Sequence, residues 1–90
     1  MQIQITAPGT SLSPALRKLT EKKLQRLCAH CSSINHIKVT LSVEKIRQAA
    51  HAHITLPGAI IDAQAESDDM YTTIDLLLNK LAKYKEKHTS

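Results

Sequence analysis

The sequence predicts an α/β (α+β) two-layer sandwich: a four-stranded sheet with both helices on one face, in the order β-α-β-β-β-α. Three observations predict it. Ile37, Val39, Leu41 and Val43 alternate with Lys38, Thr40, Ser42 and Glu44, the pattern of a half-buried strand. Two more alternating stretches follow, separated only by Pro57-Gly58. Two other segments, one before and one after these strands, repeat apolar residues at helical spacing.

The first strand is Gln2 to Thr6, with Ile3 and Ile5 on one face, and Pro8-Gly9 ends it. Ser13-Pro14 then starts a helix. The serine hydroxyl can accept from a free amide of the first turn, and proline at the first helical position gives up no hydrogen bond. Leu16, Leu19, Leu24 and Leu27 form its apolar stripe, which runs to about Cys28.

After the strand at 37–44, Ala50, Ala52, Ile54 and Leu56 alternate as another. Pro57 and Gly58 suit the two central positions of a type II turn. Ala59, Ile61, Ala63 and Ala65 continue as the last strand, which makes these three an antiparallel meander. Ser67 or Asp68 is the expected cap of the final helix, and Met70, Ile74, Leu77, Leu78 and Leu81 are its expected buried face. The opening β-α-β should be a right-handed crossover between parallel strands. The sheet face away from the helices is then polar, with Gln2, Gln4, Lys38, Thr40, Ser42, His51, His53, Thr55, Asp62, Gln64 and Glu66.

Ninety residues make one domain, 1–90, with a modest core. Without Phe or Trp, that core must be aliphatic. The N-terminus has neither the basic flank nor the apolar run of a signal peptide, and no stretch reaches membrane-spanning length. Two cysteines do not make a disulfide framework, so a reducing cytoplasm is expected.

The formal net charge of +4 is unevenly spread. Residues 17–47 carry a net +6, residues 62–75 a net −5 and residues 80–87 a net +3. Clustered cations favour a polyanionic partner, nucleic acid first, although basic surfaces that only face solvent are common. Helix dipoles account for part of the clustering: Asp68 and Asp69 suit a helix N-terminus, and the closing lysines suit its C-terminus.

On a helical wheel, Lys23 falls inside the leucine stripe, roughly 30° from its centre at ~100° per residue, so its amine must reach out from the edge of the core. Lys22 and Arg26 lie on one flank of the stripe, Arg17 lies on the other, and Lys18 points outward. In the final helix Lys80, Lys83 and Lys87 share a side. If the two helices lie side by side, this row and Lys22/Arg26 form one cationic band suited to a phosphate backbone. Apart from Tyr84, no aromatic residue interleaves these cations in sequence. Recognition of folded RNA by shape and charge is therefore expected, in the manner of a double-stranded-RNA-binding domain.

Enzymatic chemistry is not expected. The chain shows no Ser/His/Asp order, no paired-carboxylate logic and no glycine-rich phosphate loop. Cys28-Ala-His-Cys31 has the spacing of a redox pair or half a zinc site. Its place at a helix C-terminus is wrong for lowering a thiol pKa, and a structural zinc needs four ligands. No metal and no cofactor are expected. The cysteines read as small apolar fillers, and His51 and His53 as solvated residues of the sheet face.

Leu41-Ser-Val-Glu-Lys45, the string Ala63-x-Ala65-Glu66-x-x-Asp69-Met70-Tyr71-x-x-Ile74-Asp75, and Lys80-Leu81 resemble the ribosome hibernation promoting factor / ribosome-associated inhibitor family, also called the sigma-54 modulation protein family. The Ala15-Leu16 helix start and Lys23 match as well. The resemblance covers nearly the whole chain and implies the same element order. It implies a stationary-phase factor that occupies the mRNA and tRNA channel of the small ribosomal subunit, with basic residues of both helices against ribosomal RNA. Lys23 and the Lys80 row are its implied RNA contacts; Arg17, Lys18, Lys22 and Arg26 follow from charge placement.

The chain departs from the family in having Lys83-Tyr84-Lys85 where relatives carry a Gln-Leu pair and further basic residues. Cys28 and Cys31 are not part of the family pattern. From length, the short subtype is expected, which works with ribosome modulation factor to form inactive ribosome dimers and is monomeric off the ribosome. The basic tail 80–90 is expected to fray at its end. Two alternatives stand beside this reading: a translation inhibitor of the same fold that keeps ribosomes monomeric, and a metal-binding or redox module built on Cys28 and Cys31.

Overall fold

The computed structural model describes residues 2–9, 12–29 and 34–89, without the side chains of 85–89. It contains β1 (Gln2–Thr6), α1 (Pro14–Leu27), β2 (His36–Glu44), β3 (Arg47–Leu56), β4 (Ala59–Ser67) and α2 (Met70–Thr89). The sheet order is β1-β2-β3-β4, with β1 parallel to β2 and the other pairs antiparallel. This is the expected β-α-β-β-β-α sandwich.

Local chemistry sets the boundaries. Ser13 Oγ accepts from the Leu16 amide at 3.1 Å, capping α1 as the Ser-Pro pair implies. Gly58, at φ +74°, takes the left-handed position that a type II turn demands after Pro57. At the tight link between β2 and β3, Lys45 adopts φ +56°, an unusual position for a residue with a Cβ. The ladder closes immediately beyond it with Glu44 opposite Arg47, so β3 starts three residues before the alternating alanines.

The start of α2 differs from expectation. β4 runs through Ser67, and the cap is Asp69, not Ser67 or Asp68. Asp69 Oδ2 accepts from the Thr72 amide at 2.8 Å and from the Thr72 hydroxyl at 3.0 Å. Ser67 has a different task. Its hydroxyl lies 2.6 Å from that of Thr73, which in turn lies 2.9 Å from the Gln48 carbonyl on β3. A polar cluster centred on the buried Thr73 thus ties the helix start to the sheet.

The core is aliphatic and lies between the sheet and both helices. Ile5, Ile37, Val39, Leu41, Ala50, Ala52, Ile54, Ala63 and Ala65 face Leu24, Met70, Ile74, Leu77 and Leu81. Leu78 is only half-buried. In α1, Leu24 alone of the predicted stripe is fully buried; Leu16, Leu19 and Leu27 are half-buried. Thr20 shares the centre of the buried stripe because its hydroxyl bonds the Leu16 carbonyl at 2.8 Å and leaves only its methyl to pack. Among the described residues, no buried side-chain polar atom lacks a partner.

Leu24→Ala is expected to cost about 2–5 kcal/mol in urea unfolding, whereas Leu76→Ala, on the exposed side of α2, should cost less than about 1 kcal/mol. Thr73→Val keeps the shape but removes the buried hydroxyl that bonds the Gln48 carbonyl and Ser67. It should cost about 1–3 kcal/mol in the same assay.

Candidate nucleic-acid interface

The two faces of the sandwich differ in how their charges are used. On the open sheet face, Asp62 and Glu66 have partners. Arg47 Nη2 and Glu66 Oε1 are 2.9 Å apart. His51 Nε2 and His53 Nδ1 lie 3.2 and 2.8 Å from the same Asp62 oxygen. These contacts follow from register, since His53 is directly opposite Asp62 and His51 lies two pairs along, on the same face. Among the described residues, no group of three or more His, Cys, Asp or Glu is placed to hold a metal ion. Cys28 is buried at the C-cap of α1, and Cys31 lies outside the described residues.

The helix layer is different. Arg17, Lys18, Lys22 and Arg26 all project from α1 and are exposed. None of them, nor Lys83, forms an ion pair or hydrogen bond with another described residue. Lys23 is the exception. Its side chain is half-buried, as its place beside the leucine stripe requires, and its amine meets Asp75 of α2 at 2.7 Å. The pair spans the seam between the helices. With both partners more than a third exposed, its worth is about 0.2–1 kcal/mol, so its main effect is to aim the amine.

The predicted cationic set divides in two. α1 packs over β1, while α2 packs over β4 and β3. Lys80 turns to the β4 edge and donates to the Gln64 carbonyl at 2.5 Å. With Lys83 and Tyr84 it lines a shallow groove against Asp62 and Gln64. That flank of α2 faces away from α1, whereas Asp75 marks the flank facing it. A single band joining Lys80 to Lys22 and Arg26 therefore does not form. There is one cluster on α1 that reaches Asp75 through Lys23, and a second along the β4 edge. The Lys87 side chain lies outside the described residues.

Asp75 and Tyr71 were harder to assign from sequence. In sequence Asp75 is only a member of the family string; its contact with Lys23 shows that it orients that lysine. Tyr71, also a member of that string, is 50% exposed. The signal available was its position: on a helix with Met70, Ile74 and Leu77 buried, residue 71 falls outside the buried arc.

With this geometry in place, comparison with known proteins is informative. The family model described as Sigma 54 modulation protein / S30EA ribosomal protein matches residues 3–89. A ribosome hibernation promoting factor of Klebsiella oxytoca is 39% identical over 88 residues, covering 98% of this chain and 93% of the relative. The protein of the same name from Escherichia coli (strain K12) is 38% identical with the same coverage. Among solved structures, a ribosomal subunit interface protein from Coxiella burnetii superposes with a TM-score of 0.92 at 46% identity, over 98% of this chain and 97% of that one. The N-terminal domain of Thermus thermophilus Protein Y gives 0.81 at 28% identity, over 93% and 94%.

Asp75→Asn should lower stability by less than about 1 kcal/mol, and the difference should shrink in molar salt, as expected of an exposed pair. Paired urea titrations at low and high ionic strength measure it.

Proposed function

The chain belongs to the Sigma 54 modulation protein / S30EA ribosomal protein family, and from that premise we propose that it is a ribosome hibernation factor. It binds the small ribosomal subunit through ribosomal RNA, in the channel that mRNA and tRNAs use. It acts by occupation: no bond is made or broken, and translation stops because the sites are filled. It is cytoplasmic, and among the described residues no helix is long and apolar enough to cross a membrane. With ribosome modulation factor, it favours inactive ribosome dimers in stationary phase; off the ribosome it is monomeric.

The observation that carries this reading is the contrast between faces. The helix layer presents cations with no protein counter-charge, while the acids Asp62 and Glu66 are occupied on the sheet face. Unpaired cations on a rigid scaffold suit phosphate, because binding need not first break an ion pair. Relatives of nearly the same length named ribosome hibernation promoting factor support the partner and the process.

Co-sedimentation with purified small subunits should weaken steeply as salt rises, since each phosphate contact releases a counterion. Arg26→Glu combined with Lys83→Glu, both exposed, should abolish co-sedimentation and leave thermal unfolding unchanged. Normal binding by that double variant would overturn the helix-face assignment. Sucrose gradients of stationary-phase cells lacking the protein separate the two activities: loss of ribosome dimers supports dimer promotion, and a gain of dimers supports an inhibitor that keeps ribosomes monomeric.

A further inference from the structure

We propose that Tyr71 is a stacking site for an unpaired RNA base, held next to the Lys23–Asp75 pair so that the lysine takes an adjacent phosphate. The inference rests on the RNA-binding reading above and adds base contact to a surface that otherwise offers only charge.

Three observations carry it. First, packing does not account for the side chain. Met70, Ile74 and Leu77 enter the core, while Tyr71 is 50% exposed and makes no hydrogen bond with another described residue. Helix formation does not call for it either, because Lys, Glu or Gln at an exposed helical position would favour the helix more than tyrosine does. Second, Tyr71 lies four residues before Asp75, so the two side chains are neighbours on one face of α2. Asp75 holds the Lys23 amine at 2.7 Å. The tertiary fold thus brings the Lys23 amine to the residue one helical turn beyond Tyr71, an arrangement the linear sequence conceals. Third, the surrounding surface selects the occupant. Lys18, Lys22 and Arg26 are exposed and unpaired among the described residues, so the ring sits in a field that attracts a polyanion. An aromatic face next to phosphate-binding cations is the arrangement that recognises single-stranded or bulged nucleotides.

The test uses the full chain and purified bacterial small ribosomal subunits, with affinity measured over a range of salt concentrations. Tyr71→Ala should weaken binding on the order of tenfold or more while leaving the slope against log salt unchanged, because stacking releases no counterions. Tyr71→Phe should bind like the original chain, since the ring carries the contact. Tyr71→Leu, which keeps apolar bulk and a helix former, should fail like alanine. Base-specific chemical probing should show one unpaired base protected by the original chain and by Tyr71→Phe, but reactive with Tyr71→Ala and Tyr71→Leu. Lys23→Met should reduce the salt slope by about one phosphate contact.

Undiminished binding by Tyr71→Ala overturns the proposal, as does a Tyr71→Leu variant that binds like tyrosine. Weakened binding without any change in base reactivity also overturns it and assigns the ring to a ribosomal protein. If the original chain does not bind small subunits at all, the functional reading fails and takes the inference with it. Failure of the Tyr71 variants alone to show these effects, with the lysine variants behaving as expected, removes only the stacking site.

Discussion

The close seating of α2 on an alanine-lined half of the sheet is the constraint on which the rest of this structure depends. Ala50 and Ala52 on β3 and Ala63 and Ala65 on β4 present small side chains to the helix layer, and Ile74, Leu77 and Leu81 fill the space above them. With no Phe or Trp, the chain fills the layer between helix and sheet with aliphatic side chains and Met70. Large residues gather on β2, where Ile37, Val39 and Leu41 are essentially inaccessible. With α2 fixed over β3 and β4, α1 is left the β1 side, and the seam between the helices becomes the place where Lys23 and Asp75 meet.

The same seating sorts the charges. The acid-rich stretch 62–75 looks, in linear form, like a counterweight to the basic regions. Folding spreads its acids over separate tasks. Asp62 and Glu66 are taken up by His51, His53 and Arg47 on the sheet face, Asp69 caps α2, and Asp75 aims Lys23. None of these five partnerships involves Arg17, Lys18, Lys22, Arg26 or Lys83. Exposed cations without an ion-pair partner among the described residues therefore gather on the helix layer, while Asp62 and Glu66 on the sheet face have partners. Net charge alone conveys none of this, because +4 is what remains after the two faces are averaged.

Much of the fold was legible because the periodicities are clean. Gln2–Thr6 was read to the residue, and the Ser13-Pro14 start and Pro57-Gly58 turn follow from backbone chemistry that acts within four residues. The misreadings share a different origin. Thr20 and Thr73 count as polar in any pattern, yet each is buried, since its hydroxyl finds a carbonyl one turn back or on a neighbouring strand. Ser67, Asp68 and Asp69 are all acceptable caps, and only the length of β4 decides among them. The site was less legible than the fold. Wheel angles place a lysine on a flank, but they do not say which neighbouring element that flank meets. Lys80 accordingly turns to the β4 edge instead of joining α1, and Asp75 meets Lys23 although 52 positions separate them in the chain.

An acid within the proposed RNA-binding surface needs a physical reason, because Asp75 repels phosphate as surely as Lys23 attracts it. A lysine side chain is long and loses rotamer freedom when it is fixed. Free to sample its rotamers, Lys23 would contribute a diffuse charge that any polyanion could use. Paired with Asp75 at 2.7 Å, its amine favours one position relative to the backbone of both helices. The anchoring cancels part of the long-range attraction, which lowers affinity for nucleic acid in general. A phosphate that arrives in the one geometry compatible with the fixed amine loses less entropy on binding and gains more. The pair thus exchanges indiscriminate attraction for a positional requirement, which is how negative charge within a basic surface raises specificity. Recognition of a folded RNA by shape needs this trade, since phosphates recur along every strand and only their spacing distinguishes one structure from another.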